Sequence, residues 1–286
     1  MSLDAPTVAA LWSWSIARAL GVHLPLSAPL LLALGTWLVY VADRILDGLV
    51  IDAPGAAAPA LRERHFFYAR HRGAFLIASV PVGLLLLWLI VTRMSPAARH
   101  EDIAVFGVAL LYFCVVHVYG PAAERWLPKE LAVGIVFAVA TAVPAWSRLP
   151  AVRSTGLLPN RALLILAVLF FTALCWLNCV AIEKWERMRD SAAGSLIPHR
   201  TTLWAQARLQ RLCCGIALAA GAAAGLTRLL SASAAVPAVF LACAMTGAGF
   251  AALDHWQQGL RMRAFPLRIA ADAVMLTPLI FALVLR

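Results

Sequence analysis

Asp43 and Asp47 lie four residues apart in Tyr40-Val41-Ala42-Asp43-Arg44-Ile45-Leu46-Asp47, where a long apolar run ends. In a helix that spacing puts both carboxylates on one face. Such a pair suits Mg2+, which takes one or two carboxylates, keeps several waters and bridges phosphate oxygens. Ionisable groups are costly at membrane depth, so their presence there points to function. The plainer account leaves Asp47 in water and pairs Asp43 with Arg44.

A second polar cluster, Asn178, Glu183 and Glu186, ends another apolar run. Asn178 and Glu186 share a helical face, and Glu183 lies one turn before Glu186. Asn178 serves equally well as an interhelical hydrogen-bonding residue. Glu183 and Glu186 could pair with Lys184, Arg187 or Arg189. Arg64, Arg70, Arg72, His199 and Arg200 could hold a diphosphate through charge-assisted hydrogen bonds, although a basic loop accounts for most of them individually. Lys129 opens an apolar segment in Leu127-Pro128-Lys129-Glu130, where it can reach a phosphate or snorkel to headgroups. Asp272 sits inside the last apolar segment with Arg268 one turn away, and an intrahelical pair explains both. Asp254 and His255 close the eighth segment and are expected to face the cytoplasm. Tyr40, Trp37, Tyr112, Phe113, Trp146 and Trp176 could line a cavity or simply pack.

These residues must be held by membrane helices. The chain has 286 residues, 63% hydrophobic and 13% charged, with mean hydropathy +0.84. A soluble domain is nearer one quarter charged, so the composition indicates an all-α polytopic membrane bundle. Nine segments reach the roughly 20 residues a bilayer needs, near 6–22, 26–46, 73–92, 103–119, 130–147, 161–183, 212–230, 234–253 and 266–285. They form a single unit, 1–286.

The net charge of +10 is scattered through connections, which argues against nucleic acid and for basic loops facing anionic lipid. With the N-terminus in the cytoplasm, sixteen Lys and Arg fall inside and seven outside, with Arg18 in the first span. Both acidic clusters then face the cytoplasm of an inner membrane. The start, MSLDAPTV, lacks the basic region of a cleavable signal, so insertion is expected to rely on the spans. The six cysteines fall in or beside apolar runs and are expected to be reduced thiols.

Connections near 48–72 and 187–211 follow the two acidic clusters. Their length and polar helical character fit lids over a site or interfacial helices on headgroups. Val39, Asp43 and Asp47 match Asn178, Ile182 and Glu186, each 139 residues on. Spans two to five and six to nine thus read as two four-helix halves plus one extra helix.

This layout resembles the UbiA superfamily of intramembrane prenyltransferases. That family has NDxxDxxxD at its first site and a DxxxD-type motif at its second. Here Asp43 and Asp47 match the last two acids of the first motif, with Val39 and Tyr40 replacing the leading Asn and Asp. At the second, Asn178 and Glu186 match, Ile182 replaces an acid, and Glu183 is adjacent. The segment from Pro128-Lys129-Glu130 through Gly134 to Trp146 is similar to the region joining the family's fourth and fifth helices.

The resemblance implies Mg2+ at Asp43, Asp47 and Glu186, with Asn178 and Glu183 completing the second site. It implies diphosphate contacts from Arg64, Lys129, His199 and Arg200, beside Tyr40. Ionisation of an allylic diphosphate would give a carbocation that a small aromatic or lipid acceptor captures. Fewer acids than the family pattern also fit one metal, a terpene cyclase, or a non-enzymatic lipid-binding or transport protein. Acceptor, isoprenoid length and oligomeric state are left open by the sequence.

Overall fold

A computed structural model describes residues 3–49, 67, 70–119, 128–149, 159–188, 198–230, 233–260 and 264–285. Among them no strand occurs, and the elements are helices throughout. In chain order these are α1 Asp4–Ala19, α2 Ser27–Leu49, α3 Arg72–Arg93, α4 Pro96–Tyr119 and α5 Lys129–Trp146. Next come α6 Asn160–Arg187, α7 Arg200–Ala207, α8 Leu209–Leu230, α9 Ala235–Leu260 and α10 Ala264–Val274, then a 3-10 helix, Thr277–Phe281.

Six of these helices, α2, α3, α5, α6, α8 and α9, are long and apolar enough to cross a membrane. The chain is therefore compatible with an integral membrane protein. The other three expected spans, within α1, α4 and the last segment, are helical but do not join those six. Residue 187 apart, which ends α6, the expected lid 187–211 is described at 188 and from 198 onward; the lid 48–72 is described only at its ends and at Phe67.

The core gathers on α6, which packs against α5, α8, α9 and α10. α5 approaches closely because Gly134 has no side chain: a Cβ there would meet the Trp176 backbone nitrogen at 2.9 Å. Gly247 does the same for α9 against α8, where a Cβ would lie 3.0 Å from the Cys213 carbonyl. Small residues at crossings are how helices pack tightly when lipid supplies no hydrophobic drive. α3 instead packs mainly on α2 and leaves Ile77, Val80, Leu84, Leu87 and Val91 exposed. An apolar face that large is expected against lipid rather than water.

α1 departs from the expected span. Its sixteen residues reach about 24 Å, short of a bilayer core of about 30 Å. Nine of the sixteen are buried, so it fills the bundle instead of facing lipid. Trp12 stacks on Phe171 of α6 with ring centroids 4.5 Å apart.

The last segment, read as one continuous span, breaks after Val274. Pro278 has no N–H, so the Val274 carbonyl loses its helical donor. The Thr246 hydroxyl lies 3.3 Å from that carbonyl and 2.6 Å from the Thr277 hydroxyl. Thr277 donates to the Ala242 carbonyl at 3.0 Å, and Trp12 Nε1 donates to the Met275 carbonyl at 2.8 Å. Irregular backbone inside a membrane bundle is tolerated where protein groups satisfy it in this way. All six cysteines are free, with Cys175, Cys213 and Cys243 buried.

Trp12→Ala removes both the stack and the bond at the break. It is expected to cost about 3–5 kcal/mol, read as a lower unfolding temperature in detergent, with Trp12→Phe losing about 1 kcal/mol. Gly134→Val is expected to lower stability similarly by forcing α5 away from Trp176.

Candidate functional site at the polar end of the bundle

Polar contacts gather the C-terminal ends of α2, α6 and α9, the starts of α1, α5 and α10, and α7 at one end of the bundle. On the last turns of α2, Asp43 is largely buried, and its carboxylate lies 3.8 Å from Arg44 and 3.8 Å from Lys129. Pro128 directs the chain into α5, placing Lys129 in the first turn. The next residue, Glu130, accepts from the Thr202 hydroxyl at 2.9 Å and so ties α7 to α5. Arg44 also stacks over the Tyr40 ring at 4.8 Å.

Tyr40 lies one turn before Asp43, and its hydroxyl accepts from Arg268 Nη2 at 3.0 Å. This bond crosses from α2 to α10. Arg268 Nε is 4.0 Å from Asp272 on its own helix, and Nη2 is 4.0 Å from Asp4 on α1. Glu186 on α6 acts on the same guanidinium, while Asn178 and Asp4 both face Asp272. The Asn178 Oδ1 atom is buried with no hydrogen-bond partner among the described residues. Four helices therefore present Asp4, Tyr40, Asn178, Glu186, Arg268 and Asp272 to one another.

The expected residues divide as follows. Tyr40, Asn178 and Glu186 join the cluster around Arg268, while Asp43 and Lys129 meet as a pair beside it. Glu183 turns to its own helix and pairs with Arg187 at 3.1 Å. His199 caps α7, accepting from the Thr201 backbone N–H at 3.2 Å, and Arg200 is exposed at the first residue of that helix. Asp47 lies on α2, but its side chain is outside the described set, and Arg64 is outside the described residues. Among the described residues no group of three or more His, Cys, Asp or Glu gathers as a metal cage.

Sequence reasoning missed the centre of this arrangement. Arg268 and Asp272 explained each other as an intrahelical pair, although ions within an apolar segment were themselves the available signal. Asp4 carried no signal, because only the folding back of α1 brings it to Arg268. Asp254, expected to face the cytoplasm, is instead packed inside the protein. Asp254 is 1% exposed and accepts from Lys184 at 2.7 Å, because α9 packs against α6 and α8 at this level.

Chemically, the end of the bundle offers fixed charges of both signs beside apolar helices. Lys129, Arg44 and Arg268 suit phosphate oxygens, and the carboxylates suit a cation or a proton. At 3.8 Å the Asp43 contacts to Lys129 and Arg44 are ion pairs longer than a hydrogen bond. No protein-family model matches the chain, and no curated protein or solved structure matches it either.

Asp43→Lys would place a third cation against Arg44 and Lys129. The reciprocal exchange, Asp43→Lys with Lys129→Asp, is expected to recover about 0.5–1 kcal/mol of unfolding free energy relative to Asp43→Lys alone. Thermal unfolding of the full chain in detergent checks the difference.

Proposed function

We propose that this chain is a prenyltransferase-like enzyme that works inside the membrane on a polyprenyl diphosphate. The observation that carries the reading is the Tyr40–Arg268 bond at 3.0 Å. It joins the helix bearing Asp43 to the groups that face Asn178 and Glu186, at one end of an apolar bundle. The resemblance to the UbiA superfamily in Asp43, Asp47, Asn178 and Glu186 supports the same reading. So does the basic bias of the connections, which orients this end toward the cytoplasm with the N-terminus inside.

In this reading Lys129, Arg44 and Arg268 hold the diphosphate by charge-assisted hydrogen bonds. Arg200, exposed at the start of α7, would add a further cation, with Arg64 and His199 as the resemblance implies, and the isoprenyl tail lies among apolar helices. Heterolysis breaks the allylic C–O bond, and the electron pair leaves with the diphosphate. A small aromatic or lipid acceptor supplies the electron pair for the new bond, and its proton passes to a carboxylate such as Glu186. Asp43, Asp47 and Glu186 would be the residues to hold Mg2+, which when bound would neutralise charge building on the leaving group. Such an ion needs only one or two carboxylates beside phosphate oxygens and water, so the sparse acids here are compatible with it.

The test is binding of a radiolabelled isoprenyl diphosphate to the full chain in lipid nanodiscs, with and without Mg2+. Binding is expected to rise with Mg2+, and Asp43→Asn is expected to weaken it at least about tenfold, the scale of one lost charge-assisted contact. Binding that ignores both the metal and the substitution would overturn the reading. Product mass then separates transfer from cyclisation: a conjugate means transfer, and an isomer of the isoprenoid means a cyclase.

A further inference from the structure

The seam between α6 and α9 carries a second polar arrangement. Lys184 and Glu186 are two residues apart, hence about 200° around the helix, so α6 turns separate faces to the two regions. Asp254 on α9 accepts from Lys184 Nζ at 2.7 and 2.9 Å, from Trp185 Nε1 at 3.1 Å and from Gln258 at 3.1 Å. Those four bonds fill a carboxylate's accepting capacity. They hold Lys184, whose side chain is 18% exposed, in one position.

Beside this lysine the backbone breaks between α7 and α8, at Arg208 with φ −120° and ψ 13°. A recess of about 340 Å³ opens there, lined by Lys184, Arg208, Gln210, Arg211, Asp254 and Gln258. Its three cations face one carboxylate, and that carboxylate is already fully engaged. The start of α8 adds its positive dipole end at the same place. The Arg208 guanidinium lies over the Trp204 ring, 5.1 Å from its centroid, which limits the directions it can take. A general bias toward basic loops explains the number of arginines here. It does not explain a lysine locked at the wall of a recess or an arginine clamped by an indole.

We propose that this recess is a phosphate-binding site, independent of the proposed diphosphate chemistry, taking the phosphate of an anionic phospholipid headgroup or of a free phosphate compound. Arg208 and Arg211, one turn apart and exposed, supply the reaching donors, and Lys184 supplies the fixed one. α7 buries Thr202 and Ala205 while exposing Leu203 and Trp204. An exposed Trp beside arginines is the arrangement favoured at headgroup level.

The test uses the full chain in neutral detergent. Retention of dioleoylphosphatidylglycerol against dioleoylphosphatidylcholine is followed by native mass spectrometry, and inorganic phosphate by 31P NMR line broadening. Arg208→Ala with Arg211→Ala, and separately Lys184→Gln, are expected to weaken binding about tenfold. Arg228→Ala, at the far end of α8, should leave binding unchanged. A loss confined to the lipid identifies the headgroup, and one confined to inorganic phosphate identifies a free phosphate compound. Unchanged binding of both in both variants, or an equal loss in Arg228→Ala, would overturn the site.

Discussion

A guanidinium set among apolar helices is tolerated only where acids and acceptors surround it, because its desolvation is not offset otherwise. Arg268 meets that requirement through Tyr40 on α2, Asp4 on α1 and Asp272 on its own helix, with Glu186 on α6 adding a longer-range attraction. The consequence is architectural as well as electrostatic. The direct contacts lie on three helices, so satisfying one cation ties α1 and α2 to α10. Any chemistry at this end of the bundle inherits that geometry, because Asp43 and Lys129 stand one turn or one helix away from it.

The other end of the same logic is the broken last segment. The break around Pro278 leaves the Val274 carbonyl to Thr246, and one residue on, the Met275 carbonyl accepts from Trp12 of α1. Thr246 and Thr277 close the rest of the gap. α1 is thereby held at its middle by Trp12, and its first residue, Asp4, is carried to Arg268. A packing feature and a polar feature, about two turns of helix apart, depend on one another.

Much of the helix layout could be read from hydropathy, because apolar runs bounded by Pro, Gly and charges mark helices directly. Five of the six long spans fell within four residues of their expected ends, while α9 runs on to Leu260, seven residues past its expected end. Shortness and Arg18 set α1 apart from the other expected spans, but its burial was not legible, since Trp12, Ile16 and Ala17 are as apolar against protein as against lipid. Tyr40, Asp43, Asn178 and Glu186 were legible as polar residues ending apolar runs. Arg268 and Asp272 were visible but looked self-sufficient, since an i, i+4 pair needs no third partner to make sense. Asp254 was misjudged for a related reason: burial of a helix end depends on neighbouring helices, which local sequence does not describe.

The account stands or falls on Arg268 joining the helix of Asp43 to the others. A double-mutant cycle measures that link directly, with Tyr40→Phe, Arg268→Gln and their combination compared by unfolding free energy in detergent. The account predicts a coupling of about 1 kcal/mol or more between the two positions, as expected for a hydrogen bond to a charged group. Strictly additive effects would mean that α2 is not held to α10 through this pair, and the shared polar cluster would lose its basis.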